Sequence, residues 1–593
     1  MHVQTRLQAE TLGLCLLVLT SIAAPACSPT GDEPPEIAPD ALVGDYLQRY
    51  LETFPTQATA AGWHEADDRL EDLDADARRR WVEFNLETLE LGERALAAGE
   101  SLEDAYDLEL LIREARRQHF ELAVARRPER DPLYWTGIAG NATVFLLVRE
   151  DRPLEDRLTA ATSRVRALPR LLGQAREALA ETDASQIAGE LCAIGARQAA
   201  ASATFYREGF ARAAEDLDRV DLRQEAARAG ERAAEALDAF AGFLRDLEVE
   251  ASGSPRLGDL YPQLFAIVTG IDDPVDRVLE RAEAALVAKR REAAAFGRSV
   301  WDESDLAGSA PDDDAELLRR LFERLAEDRA SDEEEFFAQY RELIDASVRM
   351  VREGEIVTLP EPLTLFVDRS PSFFVGQSVG GVYPAGPFEP EADTLLFLPT
   401  PPETATREQL DAFFRDFNDH FNVMIVPHEI IPGHYLQLKY AARHPRKVRA
   451  LFPDGVYVEG WGTFSERLML DLGWGGPLDR LAHLKKQMEN IARTIVDIRV
   501  HTRGMTREEV LRFVRDEALQ DEQFAGNMWT RSITSAPQLT TYFLGYEQVR
   551  GLYDEVVAER GDAFVLREFT DGMMTLGPVP VRHYREMMLG HRE

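Results

Sequence analysis

LRQEAARAGERAAEALDAFAGFLRDLEVEA, residues Leu222–Ala251, decides the fold class. Ala, Leu, Glu and Arg dominate it, and these residues lose the least on entering a helix. Working outward, DPVDRVLERAEAALVAKRREAAAF (Asp273–Phe296) has the same texture, and such stretches follow one another from Ala41 to about Gly354. Pro, Gly and Asp clusters such as GSAPDDD (Gly308–Asp314) punctuate them. No fixed-period repeat is present, which disfavours a solenoid. The texture changes at Glu355–Thr400, where EIVTLPEPLTLFVDRSPSFFVGQSVGGVYPAGPFEP reads as short strands and loops. Helical patterning then resumes. Leu478, Leu481, Leu484, Met488, Ile491, Ile495 and Ile498 recur at three- and four-residue steps as one apolar stripe. The expected fold is mainly α, a large helical body with a small β element, divided into a helical part at 41–354 and a second part at 355–593.

Composition narrows the function. The chain has 593 residues, 67 basic against 105 acidic, for a net charge of −38. So acidic a surface repels phosphates, so nucleic acid and anionic lipid are not expected partners. An apolar share of 45% supports a real core and excludes global disorder. Cys15, Cys27 and Cys192 are the only cysteines, too few for a disulfide framework or a cysteine-type zinc site.

The N-terminus reads as an address. TLGLCLLVLTSIAAPA (Thr11–Ala26) is too short to span a bilayer comfortably and ends in small residues, as a secretory signal over residues 1–26 does. Cys27 follows at once, and the Pro- and acid-rich stretch over 27–40 suits a flexible tether. The boundary resembles a bacterial lipoprotein signal, in which Cys27 is lipidated, although Ala24 stands where leucine is usual. Ordinary cleavage would instead release a soluble periplasmic protein.

The chemistry concentrates in VPHEIIPGHYLQ, Val426–Gln437. Histidines four apart in a zinc-type H-E-x-x-H helix share one face, but His428 and His434 are six apart. An ideal helix would point them in divergent directions. Pro432 and Gly433 stand between them; proline removes the N–H that would bond the carbonyl of His428, and glycine opens further backbone angles. A bulge at this pair would return both imidazoles to one face. Otherwise they are two separate histidines flanking a helix break.

HEIIPGHYLQ resembles the core motif of the bacterial family called domain of unknown function 885, grouped with gluzincin-type zinc metallopeptidases. The resemblance continues through YVEGWGTFSERL (Tyr457–Leu468), RTIVDIRVH (Arg493–His501), SAPQLTTYFLGYEQV (Ser535–Val549) and TLGPVP (Thr575–Pro580). Three positions depart from the family pattern. Phe464 replaces a tyrosine, Arg499 replaces a glycine, and Pro537 lies one residue late.

The resemblance implies a zinc-peptidase-like helical core and a Zn2+ cofactor held by His428, His434 and Glu459, the last standing 25 residues after His434. Glu429 would be the general base, and Tyr542 and His501 would stabilise the transition state. Gln437, Glu466, Arg493 and Asp497 would orient ligands or contact substrate. His420 is a competing histidine without a motif. The expected activity is hydrolysis of short peptides by an exported protein, attached to a membrane only through a lipid at Cys27. A non-catalytic helical lipoprotein, or hydrolysis of another bond, stands beside it.

Overall fold

In the computed structural model, which describes residues 38–99, 101–369, 371, 381–400 and 405–590, the Leu222–Ala251 pattern becomes one helix, Val220–Glu250. The signal segment 1–26 and Cys27 lie outside the described residues. The first described helix, Pro39–Thr53, takes in the last two residues assigned to the tether. Proline fits there because N–H groups in a first turn have no intrahelical partner. Among the described residues no helix is long and apolar enough to cross a membrane.

The chain is mainly α with one small sheet. Helices α1 (Leu154–Ala180), α2 (Gly189–Thr204) and α3 (Val220–Glu250) form the first core. Buried Ala226, Ala229, Ala233 and Ala241 of α3 and Ala196, Ala199 and Ala203 of α2 share it. Such small side chains let helix axes approach closely. Helix α4 (Val275–Ser299) belongs to a second core.

The changed texture at 355–400 yields β1 (Leu365–Arg369), β2 (Gly381–Tyr383) and β3 (Thr394–Leu398), in the order β1-β3-β2. Strand β1 runs parallel to β3 with Leu365 opposite Thr394, and β2 runs antiparallel with Val382 opposite Leu396. All five residues of β3 are buried, as a continuous apolar run such as TLLFL requires.

Five helices carry the candidate residues: α5 (Asp419–Glu429), α6 (His434–Arg443), α7 (Gly455–Asp471), α8 (Pro477–Arg503) and α9 (Thr541–Arg560). The side chain of Asn418 caps α5 and that of Asp454 caps α7, each accepting from the third following N–H. Arg113 pairs with the Asp454 carboxylate and ties that cap to the N-terminal helices.

Helix α8 departs from the expected single stripe. Every residue from Gln487 to Ile498 is buried. Ile491, Ile495 and Ile498 pack with Val278 and Leu321, whereas Ala492, Val496 and Val500 pack with Val510 and Trp529. Small and branched residues gave the second face too weak a contrast to read by period, yet two cores close on it. Full burial of each isoleucine contributes about 1.5–3 kcal/mol.

Candidate metal centre

The six-residue spacing is resolved by a complete helix break instead of a bulge. Helix α5 ends at Glu429, Ile430 takes φ −119° and ψ −89°, and α6 begins afresh at His434. Pro432 cannot satisfy the His428 carbonyl, and Gly433 packs against that carbonyl so closely that a Cβ would lie 1.8 Å from its oxygen. Gly433 is needed for this approach; its φ of −80° is open to any residue. The indole N–H of Trp461 donates to the Pro432 carbonyl at 2.8 Å and clamps the break from α7.

The break brings the two imidazoles together, ring centroids 4.6 Å apart and planes at 78°. Glu459 of α7 faces both; its Oε2 lies 3.7 Å from Nε2 of His428 and 3.6 Å from Nε2 of His434. One ligand atom from each residue falls within 4.8 Å of the others. Those separations are too long for direct hydrogen bonds but suit three donors each about 2.0–2.2 Å from a common ion. The Glu459 Oε2 atom is buried with no hydrogen-bond partner. A buried carboxylate oxygen facing two imidazole nitrogens without a bond is costly unless a cation joins them, so the residues present fit a metal ion.

The electrostatic surroundings agree. Burial alone would raise the Glu459 carboxyl, but the two histidines hold it well below the usual carboxylate range. Burial alone would lower His428, yet Glu459 and Glu466 outweigh it and hold the ring well above its ordinary value. The pocket favours positive charge.

Neighbours fix both rings. Nδ1 of His428 donates to Glu466 Oε1 at 2.7 Å, leaving Nε2 free to ligate, an arrangement typical of metal-binding histidines. Burial would raise Glu466, but His428 and His483 bring it down to about 2. Gln437 reaches Nδ1 of His434 at 2.6 Å. The same amide nitrogen donates to the Val458 carbonyl at 3.1 Å, which anchors the side chain to α7.

Two contributors were not anticipated. Gly462 lies under both rings, where a Cβ would meet Cε1 of His428 at 2.9 Å and of His434 at 3.0 Å. Its signal was visible in the G-W-G run after Glu459. His483 is fully buried; its Nδ1 donates to Glu466 Oε2 at 3.0 Å and its Nε2 accepts from Gln487 at 2.9 Å. A histidine flanked by Leu481, Ala482 and Leu484 was the hint.

Other expected residues are placed as follows. Glu429 closes α5, half-buried, with no side-chain hydrogen bond among the described residues. The Tyr542 hydroxyl accepts from Gln538 at 3.2 Å and Arg531 at 3.3 Å, and Gln538 also donates to Glu459 Oε1 at 3.2 Å. His420 is held by Asp479 at 2.6 Å and Asp328 at 3.1 Å and does not join the cluster.

Arg493, Asp497 and His501 share one face of α8 but divide in role: Arg493 lines a cavity, whereas His501, expected to stabilise a transition state, is tied to neighbouring segments. His501 Nδ1 accepts from the Leu257 N–H at 3.0 Å and its Nε2 donates to the Ser532 carbonyl at 2.8 Å, so neither nitrogen remains for substrate. Burial pulls this ring down to about 4, keeping it neutral. Asp497, expected to orient a ligand or contact substrate, is buried and bonded to another helix. It accepts from the Tyr261 hydroxyl at 2.6 Å, while Arg493 pairs with Glu489 at 2.6 Å, one turn in the other direction.

A family model described as "Bacterial protein of unknown function (DUF885)" matches residues 55–588. Two solved structures have a similar fold. One is a candidate lipoprotein of unknown function from Shewanella oneidensis, at 24% identity and TM-score 0.77, covering 93% of this chain and 100% of that one. The other is a candidate lipoprotein from Colwellia psychrerythraea, at 15% identity and TM-score 0.74, covering 93% and 98%. No curated protein matches the chain.

Proposed function

This chain belongs to the DUF885 family, and we propose that it is a zinc-dependent hydrolase that cleaves short peptides. The observation that supports the reading most is the convergence of His428, His434 and Glu459, with the Glu459 Oε2 atom buried and unpartnered. Two imidazoles and one carboxylate are the donor set of a catalytic zinc site that keeps a position open. A zinc ion there would supply Lewis-acid polarisation of a peptide carbonyl and acidify a water.

The chain's own groups divide the remaining work. Glu429 follows the first ligand directly, has no competing side-chain hydrogen bond among the described residues, and would accept the water's proton. The water oxygen bonds to the carbonyl carbon, the C–N bond breaks, and the proton ends on the released amine. The Tyr542 hydroxyl accepts N–H bonds from Arg531 and Gln538, so its own proton is available for the oxyanion. Glu466 and Gln437 hold the histidine rings in ligating orientation. Export through a signal at 1–26 and lipidation at Cys27 belong to the same proposal, in keeping with the candidate-lipoprotein descriptions of both structural neighbours.

Metal analysis of the purified protein together with a peptide-library digest tests the proposal. About one zinc per chain is expected, with Glu429→Gln abolishing hydrolysis while keeping the metal. Hydrolysis surviving that change would remove Glu429 as the base. Bound metal with no hydrolysis of any peptide would leave the non-catalytic lipoprotein.

A further inference from the structure

Arg531 has only neutral hydrogen-bond partners among the described residues. Its guanidinium donates to Gln538 Oε1 at 2.7 Å and the Tyr542 hydroxyl at 3.3 Å, and makes no ion pair among the described residues. Arg493 also lies over the Tyr542 ring, at 4.7 Å, but Glu489 neutralises it at 2.6 Å. The field of Arg531 reaches Asp497, whose carboxylate is engaged by Tyr261.

Its position adjoins the candidate metal centre. Gln538 accepts from Arg531 through Oε1 and donates to Glu459 through Nε2 at 3.2 Å, so one side-chain amide separates the guanidinium from the metal-facing carboxylate. We propose that Arg531 receives the free C-terminal carboxylate of the substrate, which makes the protein an exopeptidase acting at the carboxyl end of short peptides. The inference rests on the hydrolase reading and narrows its substrate class.

The guanidinium fork matches a carboxylate in geometry as well as charge. An extended residue advances the chain by about 3.3–3.6 Å. A carboxylate on Arg531 therefore places a peptide carbonyl one or two residues upstream beside Glu459. A neighbouring cavity of about 690 Å³ reaches Arg493 and is lined by more basic than acidic side chains, Lys485 and Lys486 among them.

The test uses calorimetric titration of the zinc-loaded Glu429→Gln protein with a tetrapeptide as its free acid and as its C-terminal amide. The free acid is expected to bind at least 10-fold more tightly. Arg531→Gln should erase the preference with zinc content unchanged, and Arg531→Lys should restore part of it. Equal binding of acid and amide, binding of neither, or a preference that survives Arg531→Gln overturns the assignment. Wild-type hydrolysis separates the two readings. Amide cleaved as fast as acid removes the role of Arg531 and leaves the hydrolase. An intact acid preference without cleavage of any peptide removes the hydrolase and leaves the carboxylate site.

Discussion

Two histidine-bearing regions, both marked by family motifs, end in opposite chemical states. Around His428 and His434 the outer nitrogens are held by side chains of Glu466 and Gln437, while the inner nitrogens and Glu459 Oε2 face one another without bonding. On α8, both nitrogens of His501 are taken up by main-chain groups of Leu257 and Ser532, and the ring stacks on Tyr261 with centroids 5.0 Å apart and planes within 5°. The first region leaves donor capacity aimed at a point; the His501 ring spends both nitrogens in tying segments together. Buried polar atoms are normally satisfied, so unmet capacity that converges from several residues on one point separates a site from a clamp better than residue type does.

The largest break in this comparison comes from the ligands. His434→Ala should strip zinc to well under a tenth of one equivalent and abolish hydrolysis, because two donors rarely retain the metal. Elemental analysis after dialysis checks it, and unchanged zinc would reassign the donors. Next in size is Glu466→Gln, which leaves all three ligands but weakens the group orienting His428. Zinc affinity should fall about 10–100-fold, read by competition with a chelator. An unchanged affinity would reduce Glu466 to a packing residue.

The smallest expected effect falls on the clamp and lies in stability alone. His501→Phe preserves stacking on Tyr261 but strands the Leu257 N–H and the Ser532 carbonyl, at about 1–3 kcal/mol each. Activity per bound zinc should be unchanged. The pH dependence has a definite sign. The folded ring titrates near 4, below its ordinary 6.5, so the folded state resists the proton that the unfolded state accepts. The stability from neutral His501 is fully present above about pH 6.5 and is lost as pH falls toward 4. Wild type should therefore exceed the variant by more at pH 7.5 than at pH 5 in urea unfolding. A constant gap would place the stabilisation elsewhere.

Much of the fold was legible because helix propensity and texture are local. The Leu222–Ala251 and Asp273–Phe296 stretches became helices within a few residues of their expected ends, and the Val-, Phe- and Gly-rich stretch became the sheet. The face of α8 was misread because a one-period stripe assumes water on the other side. Val510, Trp529 and their neighbours cover that side from segments beyond the helix. His483 is not legible as part of the site in the sequence because its partner Glu466 is 17 residues away and on another helix.

The sequence by itself determined the helical class, the acidic surface and the pairing of histidines with an intervening Pro-Gly break. These depend on residue type and near neighbours. Only the tertiary structure decided which glutamate meets the imidazoles, that Glu466 braces instead of ligating, and that both ring nitrogens of His501 are occupied. Those outcomes depend on where separate helices place atoms to within a bond length, which no local pattern encodes.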